Sequence, residues 1–195
     1  QHNNWICLGF IDECSNATNT GYFVLDRVII RDTGASHSSG RAIKADTQLS
    51  NVALIDSHCA GIKTVGQETQ CFQGDRIGGP VLIQNNYLEA AGENVMFCGG
   101  ADSVAEAYLP HDITYRLNES TVNPAWRFTA GGFVVKTLFE LKCGVRVLVE
   151  GNTFYGMPWD GAGWVFRLTP RNQGGPTTFS DVSDLSIRHN LVRDS

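Results

Sequence analysis

One short theme returns six times along this chain: "LDRVII" at 25–30, "LIDSHCAG" at 54–61, "LIQNNYL" at 82–88, "TYRLNES" at 114–120, "LVEGNTF" at 148–154 and "SIRHNLV" at 186–192. In four of these an Asn stands three residues after a β-forming residue: Ile83 to Asn86, Tyr115 to Asn118, Val149 to Asn152 and Ile187 to Asn190. The first two segments place Val28 and His58 in that slot, and successive slots lie 30, 28, 32, 34 and 38 residues apart. Between them runs a second set: "GRAIKAD" at 40–46, "QCFQGD" at 70–75, "NVMFCGGAD" at 94–102, "TLFELKCG" at 137–144 and "WVFRLTPR" at 164–171. Each member is short, rich in β-formers and closed by Gly, Pro or Asp, as strands bounded by turns are.

A period of roughly 30 residues holding at least two strands and two corners implies a parallel β-solenoid. One coil cannot bury its inner face alone, so coils must stack. Asn side chains that recur at one corner can then hydrogen-bond from coil to coil. "NNYLEAAGENVMF" shows the grammar in miniature: a strand, a tight corner at Ala90-Ala91-Gly92, and a second strand. An antiparallel sandwich would instead show hairpin turns every 8–12 residues and needs no repeated Asn. No long stretch keeps a helical period. The expectation is an all-β solenoid of about six coils forming a single domain over 1–195. Because the chain opens without Met and stops within the repeat at "IRHNLVRDS", it reads as part of a longer β-helix.

Composition narrows the function. Gly at 21 residues and charged residues at 18 % suit a turn-rich β-protein and not a disordered one. The net charge of -5 comes with no Lys/Arg stripe, which argues against nucleic acid as a partner. No apolar run approaches the roughly 20 residues that span a bilayer, so no membrane partner is expected. The six cysteines contain no C-x-x-C pair. Local pairings are Cys7 with Cys14, Cys59 with Cys71 and, across adjacent coils, Cys98 with Cys143; buried free thiols are the alternative. Sequons begin at Asn16 and Asn118 and would mark surface sites if glycosylated. The five histidines show no H-x-H or H-E-x-x-H spacing, so no metal site is expected; no cofactor is expected either, although the acidic balance leaves room for calcium.

The segments "NNYLEAAGENVMF", "GGADS", "LFELKCGVRVLVEGNTF" and "LTPRNQ" resemble a group of uncharacterised bacterial proteins read as right-handed parallel β-helices of the pectate-lyase-like superfamily. The resemblance is strongest over 78–173 and looser over 22–77 and 179–195. It implies the fold and its handedness. The group has no assigned activity, so no catalytic residue is carried over.

Enzymes similar to this fold often work on polysaccharides along an outer wall. Alternation places Phe139 and Leu141 inward and Leu138, Glu140 and Lys142 outward; likewise Phe166 and Leu168 point in, Arg167 and Thr169 out. Glu140 and Arg167 then neighbour each other across coils, and Lys142 lies near Thr169 or Arg171. Lys44, Asp46, Gln73 and Asp75 extend the wall, and Asp102 sits at a strand exit. Elimination at a uronate needs a base and a cation beside the developing enolate, whereas hydrolysis needs two carboxylates. The expected catalytic residues are Glu140, Lys142 and Arg167. Expected to bind substrate are Trp126 and Trp159, flat rings on Pro-flanked loops, with Arg171, Asp75 and Asp102. The plainer readings are a Glu140–Arg167 ion pair on a solvated face and tryptophans that cover the core. The functional expectation is an extracellular or cell-surface protein that binds polysaccharide and cleaves it as a lyase or hydrolase. The alternative is a non-catalytic structural or adhesive module of a larger surface protein.

Overall fold

The computed structural model describes residues 4–8, 10–12, 16–17, 21–34, 40–46, 49–99, 108–126, 132–157, 163–170 and 180–194. Coil one holds β1 (Asn4–Leu8), a hairpin of β2 (Phe10–Asp12) and β3 (Asn16–Ala17), then β4 (Gly21–Asp26) and β5 (Ile29–Arg31). Coil two holds β6 (Arg41–Ala45), β7 (Ser50–Ile55) and β8 (His58–Ile62), and coil three β9 (Gln70–Gly74), β10 (Val81–Gln84) and β11 (Tyr87–Ala90). Coil four is β12 (Glu93–Phe97), β13 (His111–Arg116) and β14 (Glu119–Thr121). Coils five and six are β15 (Thr137–Leu141), β16 (Gly144–Glu150), β17 (Thr153–Tyr155) and β18 (Trp164–Leu168), β19 (Val182–Arg188), β20 (Leu191–Arg193).

Each coil gives one strand to each of three six-stranded parallel sheets: β1-β6-β9-β12-β15-β18, β4-β7-β10-β13-β16-β19 and β5-β8-β11-β14-β17-β20. This is a right-handed parallel β-helix of six coils. Each coil carries three wall strands where the sequence pattern showed two. A segment such as "LVEGNTF" spans the end of β16 and the start of β17, with its Asn at the bend between them.

That Asn builds a ladder. The backbone N–H of Asn86 donates to Asn118 Oδ1 at 3.0 Å, that of Asn118 to Asn152 Oδ1 at 2.8 Å, and that of Asn152 to Asn190 Oδ1 at 3.0 Å. Each side-chain amide also donates to a backbone carbonyl of the preceding coil: Asn86 to Leu54, Asn118 to Ile83, Asn152 to Tyr115 and Asn190 to Val149. In coil two the rung is Ser57, not His58. Ser57 N–H donates to Asn86 Oδ1 at 2.9 Å, and its hydroxyl accepts from Val28 N–H at 3.0 Å. The hydroxyl also donates to Ile55 O at 2.7 Å, as the Asn amides donate to carbonyls of the preceding coil's strands, so the ladder continues through Ser57. His58 is displaced one place outward, where it stacks on Tyr87 with ring centroids 4.7 Å apart. Asn118 is buried in the ladder with both ends of its amide engaged, which rules it out as a glycan acceptor in the folded protein.

Inside, Phe72, Phe97, Tyr115, Phe139 and Phe154 stack through successive coils, with Tyr115 5.0 Å from Phe139 between ring centroids. Cys59–Cys71 links β8 to β9, and Cys98–Cys143 ties coil four to coil five with Cα atoms 5.6 Å apart. Cys7 is disulfide-bonded, and Cys14, its expected partner, lies outside the described residues.

Candidate functional site

The first sheet carries the wall of interest. Its register aligns Lys44, Gln73, Met96, Glu140 and Arg167 in one outward row, as alternation required for Glu140 beside Arg167. Ile43, Phe72, Val95, Phe139 and Phe166 form the inward row beneath. Backbone hydrogen bonds set Asp75, Lys142 and Thr169 in the next outward row.

Leu138 departs from the expected outward position: it is fully buried in the core. Ala42–Ile43 and Cys71–Phe72 are likewise consecutive core pairs. At these places two successive side chains both pack in the core, so strict alternation does not hold there.

A cleft of about 380 Å³ on this wall is lined by Arg41, Glu68, Met96, Gly99, Lys136, Lys142, Arg167, Thr169 and Pro170, and three of these, Lys136, Lys142 and Arg167, approach the side chain of Glu140. Its carboxylate is 0 % exposed. Lys136 Nζ contacts Oε2 at 3.0 Å, whereas Arg167 Nε and Lys142 Nζ approach Oε1 only to 3.6 and 3.8 Å. Oε1 therefore faces two cations without a hydrogen bond.

Lys136 is the hub. Besides Glu140 it reaches Glu93 Oε1 at 2.7 Å and Glu68 Oε1 at 3.1 Å. Burial alone pulls its ammonium down, but the charges and hydrogen bonds of Glu93 and Glu140 outweigh that and hold it above the usual range. Glu93 is pushed up to about 7, first by burial and then by Glu68, against the pull of Lys136 and Gln70. Gln70 Nε2 donates to its second oxygen at 2.6 Å.

Other expected site residues sit differently. Asp75, although in an outward row, is fully covered by its neighbours, accepting from Gln73 Nε2 at 3.1 Å with Lys44 Nζ at 3.8 Å, and offers a ligand no surface. Trp126, expected as a sugar platform, is 6 % exposed. Phe133 packs edge-on against it and Lys63 lies over its ring at 5.4 Å, so no face remains for stacking. Trp159, Arg171 and Asp102 lie outside the described residues. Among the described residues no group of three or more His, Cys, Asp or Glu side chains could hold a metal ion.

Sequence reasoning missed Arg41, Glu68, Glu93 and Lys136. Three polar residues open successive wall strands in register, Arg41, Gln70 and Glu93, and that repetition was the available signal. Nothing marked Lys136 or Glu68, which stand outside the strands.

Fold and cleft together define a class: a right-handed parallel β-helix with a cation-lined cleft on one wall. Comparison with known protein families, with curated proteins and with solved structures gives no match to this chain.

Proposed function

We propose that the protein binds an acidic polysaccharide in this cleft and cleaves it, as a relative of the pectate-lyase-like β-helices that acts outside the cell. The carrying observation is the set of cations lining an open cleft, Arg41, Lys136, Lys142 and Arg167. Lys142 and Arg167 have the clearest role: neither hydrogen-bonds the Glu140 carboxylate they flank, so both can turn to a carboxylate on the ligand. In elimination they would offset the charge of the enolate. Glu140 is buried and acts through them, as a positioning residue. Two disulfides favour an oxidising compartment. A second reading, a non-catalytic structural or adhesive module, is favoured by the saturation of Lys136 with three carboxylates.

A glycan array, with ultraviolet absorbance of new unsaturated ends on uronic-acid polymers with and without calcium, separates the two. Binding or product lost in both Lys142→Ala and Arg167→Ala supports the first reading. Silence on every acidic glycan refutes it in favour of the second.

A further inference from the structure

The chemistry open to the cleft depends on how many carboxylates a ligand can touch. Glu93 and Glu140 are fully buried and each bound to Lys136, whereas Glu68 has a side chain 44 % exposed and is the one acid among the described residues that line the cleft. Its Oε1 lies 3.1 Å from Lys136 Nζ, and its Oε2 has no partner among the described residues. Thr69 fixes the backbone beside it: the buried hydroxyl donates to Ile62 O at 3.2 Å and accepts from Gly92 N–H at 3.1 Å, and the carbonyl accepts from Glu93 N–H at 2.8 Å. Gly92 permits the approach, since a Cβ there would stand 2.5 Å from Thr69 N and 3.2 Å from Glu68 Cα.

We infer that Glu68 alone takes and returns the proton in this cleft, in the β-elimination of a uronate and not in hydrolysis. The inference rests on the polysaccharide-cleaving reading above. Hydrolysis needs two carboxylates flanking one glycosidic bond, and the described cleft offers one. Elimination needs a single base and a set of cations that offset the charge of the enolate. Lys142 and Arg167 hold the carboxylate of the uronate. Burial pulls on the Lys136 ammonium, but Glu93 and Glu140 keep it charged, and a guanidinium keeps its proton, so neither serves as the base.

Glu68 Oε2 takes the proton from C5 of the sugar. The C5–H electron pair becomes the C4=C5 double bond, and the C4–O4 bond breaks with its electrons leaving on O4. The carboxyl then returns the proton to O4, which restores Glu68 and frees one chain with an unsaturated end and another with a new hydroxyl. One group serves both steps only where the C5 hydrogen and O4 lie on the same face of the ring. Uronates of gluco and manno configuration meet that condition, and those of galacto configuration do not.

The test follows unsaturated ends by ultraviolet absorbance and total chain breaks by released reducing ends, on polyglucuronate, polymannuronate and polygalacturonate, with binding of each polymer measured by calorimetry. Unsaturated ends form on the first two, and polygalacturonate is bound without being cut. Glu68→Gln loses turnover by about 10²–10⁴-fold, the scale of general acid–base catalysis. Its binding and melting temperature stay those of the parent, because Lys136 keeps Glu93 and Glu140. A Glu68→Gln variant as active as the parent, reducing ends released without unsaturated ones, cleavage of polygalacturonate, or polymers bound and none cut overturns the inference and leaves polysaccharide binding in place. A parent that binds no acidic polymer overturns the reading beneath it and the inference together.

Discussion

Replacing Asn118 by Ala removes a rung from the middle of the ladder. Asn86 N–H and Asn86 Nδ2 lose their acceptor at 3.0 and 2.9 Å, and Ile83 O and Asn152 Oδ1 lose their donor at 2.9 and 3.1 Å. Two of the four keep another partner: Asn86 Nδ2 still reaches Leu54 O, and Asn152 Oδ1 still accepts from residue 118 N–H. The Asn86 N–H is left without one, in a corner closed to water. At about 1–3 kcal/mol for each stranded buried group, plus the smaller partial losses, the expected cost is about 3–5 kcal/mol. Asn190→Ala deletes the same kinds of bond in coil six, but Asn190 is half-buried and water can replace what is lost. Its expected cost is about 1 kcal/mol. Equilibrium unfolding in urea, with slopes compared to the parent, measures both. Equal losses for the two variants would refute the argument that burial gives the ladder its strength.

Two further outcomes follow from the cleft. Glu93 holds its proton more tightly folded, near 7, than at its ordinary 4.5, so its contribution to stability is complete below about pH 4.5 and is lost as pH rises through 7. At about 1.4 kcal/mol per pH unit the loss is about 3 kcal/mol; unfolding measured from pH 4.5 to 8 should show it in the parent and not in Glu93→Gln, and equal slopes would dismiss the assignment. Gly99 lies at φ +93° with room for no side chain, since a Cβ there would stand 2.6 Å from Lys142 Cδ and 2.7 Å from its Nζ. Gly99→Ala should therefore cost about 1–2 kcal/mol and displace Lys142; an unchanged melting temperature would show that the cleft yields freely.

Periodicity made the first sheet and the Asn corner readable, because short β-rich segments recur in every coil and Asn holds the corner in four of the six. Adjacency of Glu140 and Arg167 followed from alternation once the wall was recognised. The third strand was hidden because the ladder corner, two residues such as Asn85-Asn86 or Gly151-Asn152, lies within one short β-rich segment and the strand after it is only three to five residues long. Ser57 was passed over for His58 because sequence distance cannot tell which of two neighbours faces the corner. Lys136, Glu68 and Glu93 come together only through coil stacking and side-chain reach from outside the strands, which no local pattern encodes. Trp126 read as a loop platform, yet a ring of its size flanked by Pro serves the core as well, and the neighbouring Phe133 decides it.

The ladder has a consequence for how such a chain can vary. Its rungs are joined across 29, 29, 32, 34 and 38 residues, yet every bond has ordinary geometry. Differences in coil length are thus absorbed in connections such as 98–110, 122–136 and 169–181, while the corner amides keep the strands in step. Lengthening such a connection costs little, since closure entropy grows only slowly with loop length. Coil and ornament are therefore separable: the surroundings of the cleft can be rewritten by insertion while the scaffold beneath keeps its pitch.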